Sequence, residues 1–169
     1  MWANKFSSMT AFLSLGGNLG NTKEIFEQTY PLIEKKIGRI LQKSSLYQTA
    51  AWGLTDQADF LNQVIEIETT QHPEEILTNL LAIEMHFGRV RDVRWGPRSI
   101  DLDLLLMDDL QVTSDTLELP HPRIQDRKFI LIPLVEIAPT ILHPILGQTA
   151  KELLARTTDT STVTIIPNL

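Results

Sequence analysis

Apolar positions along the chain follow two spacings, and the switch between them outlines the elements. Ala11 to Leu15 (AFLSL) is a short apolar run closed by the Gly/Asn cluster GGNLGN, which predicts a strand entering a turn. Ile25, Phe26, Tyr30, Ile33 and Ile37 then recur at helical spacing, with Asn21 or Thr22 as cap, Glu24 in the first turn and Gly38 as the stop. Pro31 falls inside this stripe, where it interrupts the hydrogen-bond ladder. RILQKSSLYQT (39–49) predicts one weakly alternating strand, and AAWGLTDQAD (50–59) a loop. FLNQVIEIETT alternates sharply, with Leu61, Ile65 and Ile67 on one face and Asn62, Glu66 and Glu68 on the other. His72-Pro73-Glu74-Glu75 opens a second helix, with proline and acids where helix N-termini prefer them. Its stripe is Ile76, Leu77, Leu80, Leu81, Ile83 and Phe87, ended by Gly88. An arginine-rich loop, RVRDVRWGPRS, leads into IDLDLLLM (100–107), a strand, and Asp108-Asp109 mark a turn.

The resulting order, β-α-β-β-α-β, predicts an α+β fold: a ferredoxin-like core with an antiparallel sheet and both helices on one face. Past Asp103 the last strand is apolar on both faces, so both must be covered. LELPHPRIQDRKFILIPLVEIAP, partly helical, and a short helix near TAKELLAR are available for the second face. A three-layer α/β/α domain is therefore expected. No repeat, low-complexity tract or linker divides the chain, so residues 1–169 are expected to form one domain. Residues 1–9 read as a loose lead-in and 157–169 as a tail or an edge strand.

Composition narrows the function. Of 169 residues, 43% are hydrophobic and 21% charged, an ordinary globular balance. The formal net charge of -6 argues against nucleic-acid or anionic-membrane partners, which require a basic surface. A local basic patch in an acidic chain suggests a small anion instead. With no cysteine, disulfides and thiolate metal sites are excluded, and the cytoplasm is the expected location. No apolar stretch is long enough to span a membrane, and the run near the N-terminus is too short for a signal-peptide core.

The chemistry concentrates in RVRDVRWGPRSIDLDLLL. Side chains at i and i+2 of a strand share a face, with Cα atoms about 7 Å apart. Asp101 and Asp103 therefore point together, with Ile100, Leu102 and Leu104 on the other side. Two carboxylates that close repel each other unless a cation sits between them. Mg²⁺ fits, because it takes one or two carboxylates and fills its remaining positions with water and phosphate oxygens. A bare D-x-D pair also occurs as a solvated turn cap. Four arginines upstream (Arg89, Arg91, Arg94 and Arg98) exceed what two aspartates need, and arginine forks match phosphate oxygens in pairs. His121, Arg123 and Arg127 follow in PHPRIQDRKF.

RVRDVRWGPRSIDLDLLL, with LPHPR downstream and SLGGNLGN near the start, resembles the 6-hydroxymethyl-7,8-dihydropterin pyrophosphokinase family of folate biosynthesis. The resemblance runs from about Phe12 to Pro139, and LYQTAAWGLTDQADFLN is similar to the family's segment between its second and third strands. It implies transfer of the β,γ-diphosphate of ATP to the hydroxymethyl group of a reduced pterin, releasing AMP. It implies two Mg²⁺ ions at Asp101 and Asp103, and Arg89 and Arg98 beside the transferred group. Glu84, Arg89, Arg91, Trp95, Arg98, Leu104, His121 and Arg127 match nucleotide-side positions. Thr49, Ala50, Ala51, Phe60, Asn62, Trp95 and Phe129 match pterin-side positions. Phe60 and Phe129 would sandwich the flat ring, although taken alone each reads as core. Asn62 offers a donor and an acceptor to the pterin edge, or else is a satisfied buried amide. Taken alone, Glu84 reads as a solvated helix carboxylate. The loop 89–98 reads as a lid ordered by polyphosphate.

The chain departs from the family pattern at Leu81, in place of a glutamine, at Asp92, in place of a lysine, and at Ala50 and Ala51, in place of prolines. A monomer is expected, with ATP and the pterin as small-molecule substrates and neither nucleic acid nor membrane as partner; association with other folate enzymes stays open. Two other readings compete: a Mg²⁺-dependent nucleotidyl- or glycosyltransferase using D-x-D, and a ferredoxin-like sensor or assembly module. No G-x-x-x-x-G-K-[ST] motif is present, which argues against a P-loop kinase.

Overall fold

The computed structural model describes residues 7–51, 56–88 and 96–168. In chain order the elements are β1 (Met9–Gly17), α1 (Thr22–Lys36), β2 (Arg39–Lys43), β3 (Tyr47–Thr49), β4 (Phe60–Thr69), α2 (Pro73–His86), β5 (Asp101–Met107), β6 (Val112–Thr113), β7 (Glu118–Leu119), α3 (Lys128–Ile137), α4 (Ala150–Arg156) and β8 (Val163–Ile165). A 3-10 turn, Ile124–Asp126, precedes α3. Strands run β5-β1-β4-β3-β8 across the main sheet, with β2 also on β4, and every pairing is antiparallel.

Local chemistry explains most of these boundaries. The Asn21 side chain accepts from Glu24 N–H at 3.3 Å and starts α1. That helix carries on through Pro31, because Phe26, Tyr30 and Ile33 stay buried against the sheet on either side of it. At α2, Glu75 reaches back to the His72 N–H at 2.9 Å.

Three strand expectations need correction. β1 starts at Met9 and runs through Gly16 and Gly17, which had read as a turn; both stay in register with β4. The single strand expected over 39–49 is two, broken at Ser44, whose N–H donates to the Val64 carbonyl at 2.9 Å. Residues 112–119 form a small β6-β7 hairpin that alternation did not signal. The stretch left open as tail or strand carries β8, paired with β3.

The alternation of β4 divides the core in two. Leu13, Leu15, Ile65, Ile67, Leu102 and Leu104 pack with Phe26, Ile33, Ile76, Leu80 and Ile83 of α1 and α2. Phe12, Val64, Leu105 and Leu106 pack with Ile130, Leu131, Leu134 and Leu153 of α3 and α4. The switch from Leu13↔Leu104 to Phe12↔Leu106 leaves Leu105 as the extra residue of a bulge. The bulge turns Leu105 and Leu106 both toward α3. Apolar residues thus fill one end of that face, and the other end is polar.

Candidate active site

The polar end is built in register. Asn62 pairs with Gly16 and Gly16 with Asp101; Val64 pairs with Ser14 and Ser14 with Asp103. Thr49 and Tyr47 of β3 extend these rows past Phe60 and Asn62. Pleating puts Phe60, Asn62, Gly16, Asp101 and Asp103 on one face, opposite Leu102 and Leu104. Gly16 leaves a trough between Asn62 and Asp101, where an added Cβ would sit 3.5 Å from Asn62 Oδ1. Asp101 and Asp103 are half-buried, as the i, i+2 reading requires.

Arg98 hangs over this trough. Its Nη1 donates to Asp101 Oδ2 at 3.1 Å, and its guanidinium lies 5.4 Å from the Phe60 ring centroid. Arg98 Nε is buried and without a hydrogen-bond partner among the described residues. Such a donor at a polar site is suited to an incoming anion. The backbone of Arg98 is locked by Asn18, which lies in the SLGGNLGN motif but was assigned no role from the sequence. Asn18 Oδ1 accepts from Arg98 N at 3.0 Å, and Asn18 N donates to the Arg98 carbonyl at 2.9 Å. Asn18 Nδ2 donates to Gln57 Oε1 and to the Ala58 carbonyl, each at 2.9 Å. One buried amide therefore ties β1 to the arginine turn and to the approach of β4. Its only signal in the sequence is an asparagine after two glycines at a strand end. Gly17 lets the same turn come close, because a Cβ there would lie 2.5 Å from the Ser99 carbonyl oxygen.

The third wall comes from the segment before α3. His121 N–H donates to the carbonyl of the bulge residue Leu105 at 2.8 Å. Its Nδ1 accepts from Arg123 N–H at 3.1 Å, so the neutral ring keeps its proton on Nε2. Burial pushes the imidazole down to about 4; Arg127 and Arg123 add to the shift and Asp101 opposes it. Burial also lowers Arg127, against the attraction of Asp103 and Asp101, with Arg123 and Arg98 as like-charge neighbours. Those mutual influences place His121, Arg98, Arg123, Arg127 and both aspartates in one electrostatic neighbourhood. The Arg127 guanidinium lies 5.8 Å from the Phe129 ring centroid, so Phe60 and Phe129 each sit under an arginine. Both rings are half-buried, unlike the fully buried core residues beside them.

Asn62 Nδ2 donates to Thr49 Oγ1 at 3.0 Å, and both residues are buried. Ala50 is exposed and Ala51 half-buried. One expectation changes. Glu84 is not a solvated carboxylate: it is 2% exposed, and its Oε1 accepts from Leu102 N–H at 2.8 Å along the outer edge of β5. Leu104 points away from the carboxylate face, as its spacing from Asp101 and Asp103 requires, and is buried in the core beneath α2. Its backbone, by ladder alternation, faces the same outer edge as that of Leu102. Leu81 is exposed on α2. Arg89, Arg91, Arg94 and Trp95, and with them the lid reading, lie outside the described residues.

Among the described residues no cluster of three or more His, Cys, Asp or Glu side chains surrounds a metal position. A two-carboxylate pair beside three arginines is no closed cage. It suits a hard cation that completes its coordination with water and phosphate oxygens.

The family model of 7,8-dihydro-6-hydroxymethylpterin-pyrophosphokinase matches residues 12–139. A 2-amino-4-hydroxy-6-hydroxymethyldihydropteridine pyrophosphokinase of Methylorubrum extorquens is 41% identical over 86% of this chain and 92% of its own length. The Aquifex aeolicus protein of the same name is 36% identical over 85% of this chain and 89% of its own length. Among solved structures, an HPPK-DHPS of Plasmodium falciparum superposes with a TM-score of 0.72 at 17% identity, covering 91% of this chain. This chain spans 44% of that one, and the likeness speaks for the fold.

Proposed function

The chain belongs to the 7,8-dihydro-6-hydroxymethylpterin-pyrophosphokinase family, and on that premise we propose how its residues carry out the transfer. It is an ATP-dependent transferase of folate biosynthesis, moving a diphosphate onto 6-hydroxymethyl-7,8-dihydropterin. The β,γ-diphosphate of ATP is the group transferred and AMP the product left behind.

The observation that carries the reading is the face on which Asp101, Asp103, Arg98, His121 and Arg127 converge beside two arginine-covered phenylalanines. Asp101 and Asp103 would hold the two Mg²⁺ ions the reaction uses. When bound, these neutralise phosphate charge and lower the pKa of the pterin hydroxyl. Arg98, with its unpartnered Nε, and Arg127 supply donors that match developing charge on the transferred diphosphate. Neutral His121 offers Nε2–H to a phosphate oxygen without adding a proton that must be released. Phe60 and Phe129 flank the pterin ring, Asn62 and Thr49 read its edge, and the backbone of Ala50 and Ala51 completes that edge. Glu84 and the Leu104 backbone lie along the outer edge of β5, on the nucleotide side. Arg89, Arg91 and Trp95 add phosphate and ring contacts.

The strand order and the two cores support reading the domain as a ferredoxin-like βαββαβ core in three layers, one unit over residues 1–169. No helix among the described residues is long and apolar enough to cross a membrane. We place the enzyme in the cytoplasm as a monomer, with neither nucleic acid nor membrane as partner. The test is incubation with ATP, Mg²⁺ and the pterin alcohol. AMP is the expected product; ADP in its place indicates an ordinary kinase, the absence of both indicates a binding module, and either outcome overturns the reading.

A further inference from the structure

Residues 157–166 touch the molecule at two places that the proposed reaction needs. At one end, Asp159 Oδ2 accepts from Lys128 N–H at 2.8 Å. Lys128 is the first residue of α3, and the N-cap residue, Arg127, makes no side-chain cap bond of its own. The capping carboxylate thus arrives from 31 residues away. Asp159 is itself held, because its Oδ1 accepts from Ser161 N–H at 2.9 Å and its N–H donates to Thr157 Oγ1 at 3.3 Å. At the other end, β8 pairs with β3 through Thr49↔Val163, Gln48↔Thr164 and Tyr47↔Ile165. Ile166 N–H closes the pairing on the Leu46 carbonyl at 2.8 Å. A third strut runs between the two, where Glu136 of α3 accepts from Ser45 N–H at 2.9 Å and from Tyr47 Oη at 2.8 Å.

These contacts bracket one slot. The start of α3 carries Arg127 and Phe129. β3 carries Thr49 and braces the β4 segment that holds Phe60 and Asn62. We propose that residues 157–166 are a clamp that sets the width of the pterin slot, with Asp159 as the positioning residue that ties the helix wall to the strand wall. The inference rests on the pterin-slot reading above. Asp159 touches no reacting atom. It acts by fixing where Phe129 and Arg127 stand relative to Phe60. Burial alone would raise its carboxyl, but the Lys128 and Ser161 groups outweigh it and hold the pKa below the ordinary value. The carboxylate is therefore charged and seated at neutral pH.

The experiment compares wild type, Asp159→Ala, Asp159→Asn and Ile166→Pro. Steady-state rates are measured with pterin varied at saturating ATP, and the reverse. Asp159→Ala should raise the KM for pterin about tenfold while the KM for ATP stays within about twofold. Asp159→Asn, which keeps a capping oxygen, should restore most of the loss. Ile166→Pro, at the half-buried residue just past β8, removes the N–H that bonds the Leu46 carbonyl and should raise the pterin KM in the same direction. An unchanged pterin KM in Asp159→Ala, or equal rises for both substrates, overturns the clamp. If Asp159→Ala does not fold, an unchanged pterin KM in Ile166→Pro overturns it instead. Amide exchange supplies a readout that does not depend on turnover. Asp159→Ala must speed exchange in 46–49 of β3 as well as at Lys128, and a change confined to Lys128 refutes the coupling. Wild-type protein that makes no AMP refutes the proposed reaction, and the exchange result then decides the clamp alone.

Discussion

The two ends of one sheet face are built from the same three strands and the same pleat, yet do opposite things. At one end Phe12, Val64 and Leu105 lie under α3 and are almost fully buried. At the other, Gly16, Asn62, Asp101 and Asp103 lie in register and are left for polar neighbours. The apolar end obtains stability from excluded water, and its residues are interchangeable in kind. The polar end keeps two carboxylates half-buried next to arginines, which costs desolvation and gives a site in return. The Leu105 bulge marks the border: its side chain belongs to the core and its carbonyl positions His121.

The sharpest way to break this contrast is to mutate each end separately. Asp101→Asn combined with Asp103→Asn should lower AMP formation by about 10³-fold or more while leaving the unfolding midpoint in urea close to wild type. Leu105→Ala should do the reverse, costing about 3 kcal/mol of stability with the KM values of the folded protein little changed. Retained AMP formation in the double amide variant would end the assignment of the carboxylates. Arg98→Ala comes next. Single-turnover measurements should show the chemical step slowed about 10²-fold, with pterin binding weakened far less. The opposite split would move Arg98 from the transferred group to the ring.

Gly17→Ala tests the seam between β1 and the arginine turn. Backbone would have to shift to admit a Cβ 2.5 Å from Ser99 O, which should cost about 2 kcal/mol, with a smaller loss of activity, read by thermal melts and initial rates. The smallest effects are in pH dependence. His121 titrates near 4 in the folded protein against an ordinary 6.5. Below 6.5 the unfolded chain binds a proton that the folded one refuses, so stability falls as pH drops from 6.5 to 4 and is level above. His121→Gln should flatten that limb. On the helical side, burial, with Glu27 adding and the Gln63 hydrogen bond opposing, raises Tyr30 to about 12. The unfolded chain loses that proton first, so stability is full below pH 10 and falls as pH climbs toward 12. Tyr30→Phe should shrink the alkaline limb, with Tyr47, which burial and Glu136 also raise to about 12, supplying the rest, and should leave the acid limb unchanged.

What was legible in the sequence follows the range of the interactions involved. The alternation of β4, the shared face of Asp101 and Asp103, and the Asn21 and Pro73 helix starts depend on neighbours within a few residues. Composition and the excess of arginine pointed to a small anion, although Arg89, Arg91 and Arg94 lie outside the described residues. The break at Ser44, the β8 pairing, the reach of Asn18 to Arg98 and of Asp159 to Lys128 depend on partners tens of residues away. Nothing in local spacing encodes them. Glu84 misled for a related reason, because a carboxylate on the last turn of a helix looks solvated until the strand beside it is known to have no strand neighbour on that side among the described residues. Gly16 and Gly17 read as a turn because glycine signals flexibility, whereas here each makes room across the sheet.

The Glu84 carboxylate on the rim of β5 has a consequence apart from the proposed site. A rim strand of seven apolar-rich residues is a template on which a second copy of the chain, or an unfolded one, can lay a strand and seed a fibril. A carboxylate seated on the outward Leu102 amide, with α2 lying alongside, makes that addition expensive, since the incoming chain would have to evict it into an apolar surround. A buried carboxylate in this place thereby disfavours strand addition at the rim.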